Sequence, residues 1–371
     1  MNAREFHIYT GSVLEKGLIL SEIFERGQFI GSKEIPFNQR SRSTVSAKVN
    51  FLKEIATDLH KRTLDEVNML FYIQSKIKPL NLHLPHYKIG SLFYFRNILK
   101  EAITSLKKTI EINVDYIPAY ILLGKCYIKL GDYRNAIDIL VSGYKINSEL
   151  PDLANALGVA LTFNKDYQKA TSILQQALKK NPDFDEASFN FGVALFRSTI
   201  ADSDEYETAI VPSRVIRYVK ALKLLERYQD QEWQVKFEQT LDIINSGVLN
   251  EILDALFQLQ LKLVTHLKID PLIESFYLKF MYGGNELEYS KLLTYEDRIL
   301  KLAHQRDKFA DYWNEMGTIH IIQCRHLFLK AVGEFDKAVE LNNHYADAKK
   351  NTQLIKNIRK GFLILLRAIL K

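Results

Sequence analysis

Cysteine is nearly missing from this chain: Cys126 and Cys324 are its two examples in 371 residues, too few for a disulfide framework. Both read as reduced core residues. No apolar run approaches the roughly eighteen residues that a membrane-spanning helix needs. The first residues, Met-Asn-Ala-Arg-Glu-Phe-His, put an acid and a histidine where a secretory leader needs a continuous apolar stretch, so a cytoplasmic location is expected. Charge of one sign is not concentrated either. The formal net charge is +6, but Lys and Arg are scattered among Asp and Glu, without the basic stripe of nucleic-acid-binding proteins. No nucleic acid is expected as a partner. What remains, 47% hydrophobic and 25% charged, is an ordinary globular composition with ample material for a core.

Catalytic and metal-binding patterns are missing as well. The chain has no glycine-rich phosphate loop, nucleophile elbow or zinc-protease helix, and Gly283-Gly284 is a lone pair that reads as a turn. His83 and His86 have the spacing of a metal pair, but Pro85 lies between them and no second cluster completes the four ligands of a structural site. His320 and Cys324, one helical turn apart with His326 nearby, read as packing residues, His320 partly buried at the inward position that Tyr127 holds earlier. Asp202, Asp204, Glu205 and Glu207 lack the glycine and spacing of a calcium loop and read as a solvated acidic stretch. The 19 Tyr and 21 Phe, with no basic groove beside them, read as gap fillers between helices rather than base-stacking rings. No cofactor, metal site or catalytic residue is expected.

What is present is a period. The pairs Ala102/Asn113, Ala136/Asn147 and Ala170/Asn181 recur at 34-residue intervals, and Ala331/Asn342 repeats the pair late in the chain. A fixed period of this length marks repeats of two helices that bury their apolar faces only against neighbours. In 117–150, Tyr120, Leu123, Gly124 and Tyr127 recur at helical spacing, Gly131-Asp132 breaks the pattern, and Ala136, Leu140 and Gly143 resume it. Gly124 and Ala136 sit where two antiparallel helices must approach closely. The next unit repeats this with Ala154, Leu157, Gly158 and Leu161, then Asp166-Tyr167, Ala170, Leu174 and Ala177, ending at Asn181-Pro182.

These residues resemble the tetratricopeptide repeat, with three units in phase over 83–184. The first of them is His86, Ile89, Gly90, Phe93, Ala102, Leu106 and Thr109. A fourth opens with Ser188, Phe191, Gly192 and Leu195, then loses register in the polar stretch 198–208. Late in the chain, Asp311 to Gly317 echoes Asp152 to Gly158, while Ala331, Ala338, Asn342, Tyr345 and Ala348 echo Ala170, Ala177, Asn181, Phe184 and Ala187. The late spacing predicts an inter-helix turn two residues longer.

Around the repeats, glycine-punctuated apolar runs in 5–37 predict a three-stranded antiparallel meander. Two helices, about 43–61 and 63–77, are expected next, the second capped by Thr63 with Glu66 three residues on. The expected fold is therefore mainly α, a solenoid of helix-turn-helix repeats behind a small β meander. Its divisions are a β-rich element at 1–40, a helical connector at 41–82, the repeat array at 83–200, an irregular helical segment at 201–310 that continues the stack as degenerate pairs, and a last repeat with a capping helix at 311–371. The resemblance implies a non-catalytic scaffold that binds a peptide or helix of a protein partner in a concave groove. By family offsets that groove is lined by Ile121, Lys125, Lys129, Asn155, Val159, Phe163, Phe189, Val193 and Arg197. Ile121 and Lys125 stand where the family's chaperone-tail clamp has lysine and asparagine, so a partner with apolar anchors and some acids suits it better. Two alternatives stay open: a docking arm of an enzyme with an unrecognised site in 1–80 or 201–310, and a self-associating membrane-surface organiser anchored by the apolar and basic residues 356–371.

Overall fold

A computed structural model describes residues 5–37, 45–200, 211–220, 231–265 and 310–370, with isolated residues between 278 and 300. Gly283-Gly284 and the acidic stretch 202–207 lie outside them. The chain divides into two units, 1–269 and 270–371.

The first unit opens with the expected meander. β1 (Phe6–Val13), β2 (Leu18–Glu25) and β3 (Gln28–Pro36) pair antiparallel in the order β1-β2-β3, with a bulge at Ile23/Phe24. Ile19, Ser21 and Ile23 of β2 are buried, and the strands pack on α1 (Val45–Ile77). This helix is a correction, since one continuous helix replaces the expected pair. Thr63 does not cap anything; its hydroxyl donates to the Leu59 carbonyl at 2.8 Å inside the helix, and no glycine or proline offers a break nearby. Glu66, freed from capping, takes Lys33 of β3 and Arg96 as ion-pair partners.

Four helix pairs follow: α2 (His83–Phe95) with α3 (Leu99–Ile112), α4 (Ile117–Lys129) with α5 (Tyr133–Ile146), α6 (Pro151–Phe163) with α7 (Tyr167–Lys180), and α8 (Asp185–Ile200) with α9 (Ser213–Lys220). The turn inside each of the first three uses a left-handed residue, Asn97 (φ 58°), Gly131 (φ 74°) or Lys165 (φ 65°), again 34 apart. The recurring asparagines have a local task. The side-chain oxygens of Asn113 and Asn147 accept the backbone N–H two residues on, at 3.1 and 3.0 Å, turning the chain into the next repeat. Ala102, Ala136 and Ala170 are fully buried, as are Leu106, Leu140 and Leu174, which lie against Gly90, Gly124 and Gly158 sixteen residues before them.

The fourth pair explains the lost register. Gly192 lies against Tyr218, 26 residues later rather than 16, so ten residues are inserted before the second helix and the pair still forms. Beyond it, α10 (Gln231–Ser246) and α11 (Leu249–Thr265) pack on each other, and α11 also contacts α4, α6 and α8. It does not continue the stack. Phe189, Val193 and Phe196 of α8 share one apolar cluster with Val215 and Val219 of α9, Trp233 and Phe237 of α10, and Leu256 and Leu259 of α11.

In the second unit, α12 (Ala310–Leu341) packs against α13 (Ala346–Leu370), with Phe328 and Phe362 in ring contact at 4.4 Å. The predicted turn between 311 and 331 is absent; α12 runs straight through it. Positions 318–332 hold no glycine, proline or asparagine, the residues that most readily interrupt a helix. Two packing expectations fail with it: Cys324 and His320 are exposed on this helix, whereas Cys126 is buried. The turn after α12 does form, with the Asn342 side chain accepting from the His344 N–H at 3.0 Å.

Candidate functional site: the face formed by the first helices

The first helices of successive repeats, α2, α4, α6 and α8, lie side by side and form one face of the array. α11 rests on that face. Its start is held from α8, where Arg197 donates to the Leu253 carbonyl at 2.8 Å, and its end from α2, where the Tyr94 hydroxyl donates to the Thr265 carbonyl at 2.7 Å. The helix thus runs back along the face from the fourth repeat to the first. Its 17 residues give it a length of about 25 Å.

Three side-chain arrangements join helix and face. Phe257 of α11 packs on Phe163 of α6 at 4.9 Å between ring centres, and Tyr133 of α5 supports Phe163 from behind at 5.4 Å. Val264 shares an apolar cluster with Ala156, Val159 and Ala160 of α6. Between them runs a chain of amides. Gln260 donates to the Asn190 side-chain oxygen at 3.0 Å, and Asn190 donates in turn to Asn155 at 2.8 Å. All three are buried, and burying an amide is costly unless each polar atom is met, so the alignment of α11 with α6 and α8 is fixed by this chain.

The first-repeat end of the face is electrostatically distinct. The Lys129 ammonium lies 4.2 Å from the centre of the Tyr94 ring, a cation over an aromatic face. Burial holds the Lys129 pKa below the ordinary lysine value and lifts that of Tyr94 well above the ordinary phenol value. Cys126, on the same helix as Lys129, is pushed up to about 12 by burial, which leaves it a protonated packing residue rather than a nucleophile.

Of the nine residues expected to line a groove, Asn155, Val159, Phe189 and Val193 are buried and Ile121, Lys125, Lys129, Phe163 and Arg197 half-buried. They are not an open surface in this structure; α11 and α10 are packed over them. The sequence reading missed Tyr94, Asn190, Phe257 and Gln260. The last carried a signal, as the lone polar residue in the apolar stripe Leu256, Leu259, Gln260, Leu263.

Elsewhere in this unit an apolar furrow of about 440 Å³ lies between α5, α6 and α7, floored by Ile137, Val141, Leu157, Leu161 and Ile173 and rimmed by Arg134, Asp138, Asp166 and Lys169. Among the described residues no cluster of three or more His, Cys, Asp or Glu could hold a metal ion; His86 instead bonds the Leu80 carbonyl through Nε2 at 3.0 Å. No described helix is long and apolar enough to cross a membrane.

Comparison with known proteins agrees with this architecture. Residues 117–149, which are α4 and α5 with their flanking turns, match the tetratricopeptide repeat family. No curated protein matches the chain in sequence. Similar solved structures include YrrB, described as a tetratricopeptide-repeat protein with an unusual peptide-binding site (20% identity, 52% of this chain and 95% of that one, TM-score 0.33). MamA from Desulfovibrio magneticus RS-1 (18%, 51% and 100%, 0.35) and PilF from Pseudomonas aeruginosa (18%, 62% and 95%, 0.35) are similar to a like degree. Residues 117–149 are thus a tetratricopeptide repeat, and the packed helix pairs on either side of it carry the same 34-residue recurrence.

Proposed function

We propose that this chain is a non-catalytic scaffold whose repeat array holds a helical segment of a partner protein against its first helices. One observation carries the reading: a helix, α11, already lies there along three successive repeats. The face is built for such an occupant, because it offers donors for helix carbonyls at both ends, an aromatic step at Phe163 and an amide at Asn190. Ile121, Lys125, Lys129, Asn155, Val159, Phe163, Phe189, Val193 and Arg197 are the proposed lining.

A photoreactive phenylalanine analogue at Phe163, and separately at Val141 in the furrow between α5 and α7, tests this in the native cell. Adducts joining the chain to a second polypeptide from Phe163 support binding at the first helices; adducts from Val141 alone support a scaffold that uses the furrow instead. Adducts only within the chain from both positions would remove it.

A second reading, attachment of the second unit to a lipid surface, is favoured by Leu354, Ile358 and Ile364, which are exposed on α13 beside Lys356 and Lys360. Flotation with anionic phospholipid vesicles, full chain against one ending at Lys356, decides it: equal flotation excludes the helix as an anchor.

A further inference from the structure

We infer that α11 is a resident occupant of the binding face, displaced by a partner helix of its own chemistry: amphipathic, with leucines one turn apart and an amide at the place of Gln260. This rests on the scaffold reading and adds to it both a partner class and a means of regulation.

The argument starts from how the helix is held. Arg197 and Tyr94 grip it through the carbonyls of Leu253 and Thr265, groups that every helix presents whatever its sequence. Arg197 and Tyr94 select a helix, not a sequence. Sequence is read at the amide chain. Among the described residues Asn155, Asn190 and Gln260 are the buried side-chain amides, and all three meet in this one seam. The other buried hydroxyl residues of the array, such as Ser91, Thr109 and Thr162, are met by carbonyls of their own helices and need no partner.

In the first three pairs the second helix closes on the first without α11, through Leu106, Leu140 and Leu174 against Gly90, Gly124 and Gly158. The seam above joins the apolar contacts of Leu256, Leu259 and Val264 to the buried amide chain and the Tyr94 hydroxyl. A single helix laid across an array can open locally at a free energy below that of unfolding the array. A partner helix carrying the amide restores every bond that α11 gives up. One carrying leucine there leaves the Asn190 oxygen buried and unmet, which lowers affinity about ten-fold or more.

Two measurements on the full chain test this. The probe is a fluorescein-labelled peptide of residues 249–265. It is expected to bind the parent weakly and a Gln260→Glu chain at least ten-fold more tightly, because the buried carboxylate loosens the resident helix; the same peptide with Gln260→Leu is expected to bind that chain at least ten-fold more weakly. Hydrogen exchange of the unaltered chain is the second measurement, decisive even if Gln260→Glu does not fold. Amides of 249–265 are expected to exchange together and at least ten-fold faster than those of α4 and α6. Equal protection of α11 and the array, no peptide binding to a folded Gln260→Glu chain, or a Gln260→Glu chain that becomes a dimer by exchanging its helix with a second copy would each overturn the inference. Adducts from Val141 would leave the scaffold reading standing in all three cases.

Discussion

At the scale of single residues, the glycines divide into two groups with opposite expected behaviour. A Cβ on Gly124 would lie 2.7 Å from Leu140 Cγ, and one on Gly158 would collide with Leu174 in the same way, while Gly317 and Gly333 have nothing within 4 Å. Gly124→Ala and Gly158→Ala should therefore each destabilise by about 1–3 kcal/mol through overpacking. Gly317→Ala and Gly333→Ala, inside α12, should stabilise by about 0.5–1 kcal/mol, since alanine loses less backbone entropy in a helix. Urea titration of the four variants checks both signs. The sequence marked Gly124 as a close-approach position but set it against Ala136; that Leu140 and Leu174 are what Gly124 and Gly158 meet appears only in the fold. His86 makes a second residue-scale test. It is buried with Nε2 on the Leu80 carbonyl, and burial, joined by the Lys108 charge and partly opposed by Glu111, holds its pKa below the usual 6.5. Between that lowered value and 6.5 the unfolded chain binds more protons than the folded one, so the stability that neutral His86 contributes falls as pH falls through this window. Melting temperatures of parent and His86→Gln between pH 7 and 5 should converge, the glutamine variant keeping a donor for Leu80 without the titration. The amide chain of Asn155, Asn190 and Gln260 was not legible, because its members are 35 and 70 residues apart and no local pattern announces such a bond.

Elements were readable where a residue forces the backbone to turn and unreadable where nothing does. Asn97, Gly131 and Lys165 take the left-handed conformation at each early turn, and the helix pairs there match expectation. Apolar periodicity alone cannot tell two short helices from one long one, which is why α1 and α12 were each divided in error. The join between the β meander and the array was equally hidden. It consists of Phe6, Phe71 and Phe93 stacked at 4.7 and 5.3 Å, with Glu66 of α1 paired to Lys33 of β3 and Arg96 after α2. The join makes the sheet and α1 a cover for the first repeat, the role that end caps play in repeat proteins. Burial pushes the Glu66 carboxyl up, but Arg96 and Lys33 more than offset it, and its pKa is lowered. The pair therefore stabilises above the ordinary carboxylate range and is lost as pH falls through the lowered value. Glu66→Gln should cost about 1–3 kcal/mol by leaving two half-buried cations without their carboxylate. Exchange of the amides in 6–36 should accelerate more than exchange in α6 and α7; uniform acceleration would show that Glu66 supports the whole unit rather than this join.

For the molecule as a whole, a helix that covers a repeat face and one that extends the stack have the same amphipathic pattern, so the sequence gives no means of telling α11 from a fifth repeat. Only the structure places it across α4, α6 and α8. The second unit poses the same question for its last helix, α13, whose residues 362–366 form an apolar run. Phe362 meets Phe328 of α12, which is how a terminal helix covers the face beneath it, while Leu354, Ile358 and Ile364 stay exposed. Cutting the chain after Lys356 removes Phe362 and uncovers the Phe328 side of α12. Newly exposed apolar surface of this kind drives association. The truncated chain should therefore scatter light and elute in high-mass fractions at concentrations where the parent is monodisperse, with vesicle flotation unchanged. A truncated chain that stays monodisperse yet no longer floats with vesicles would reverse the assignment and make α13 an anchor rather than a cover.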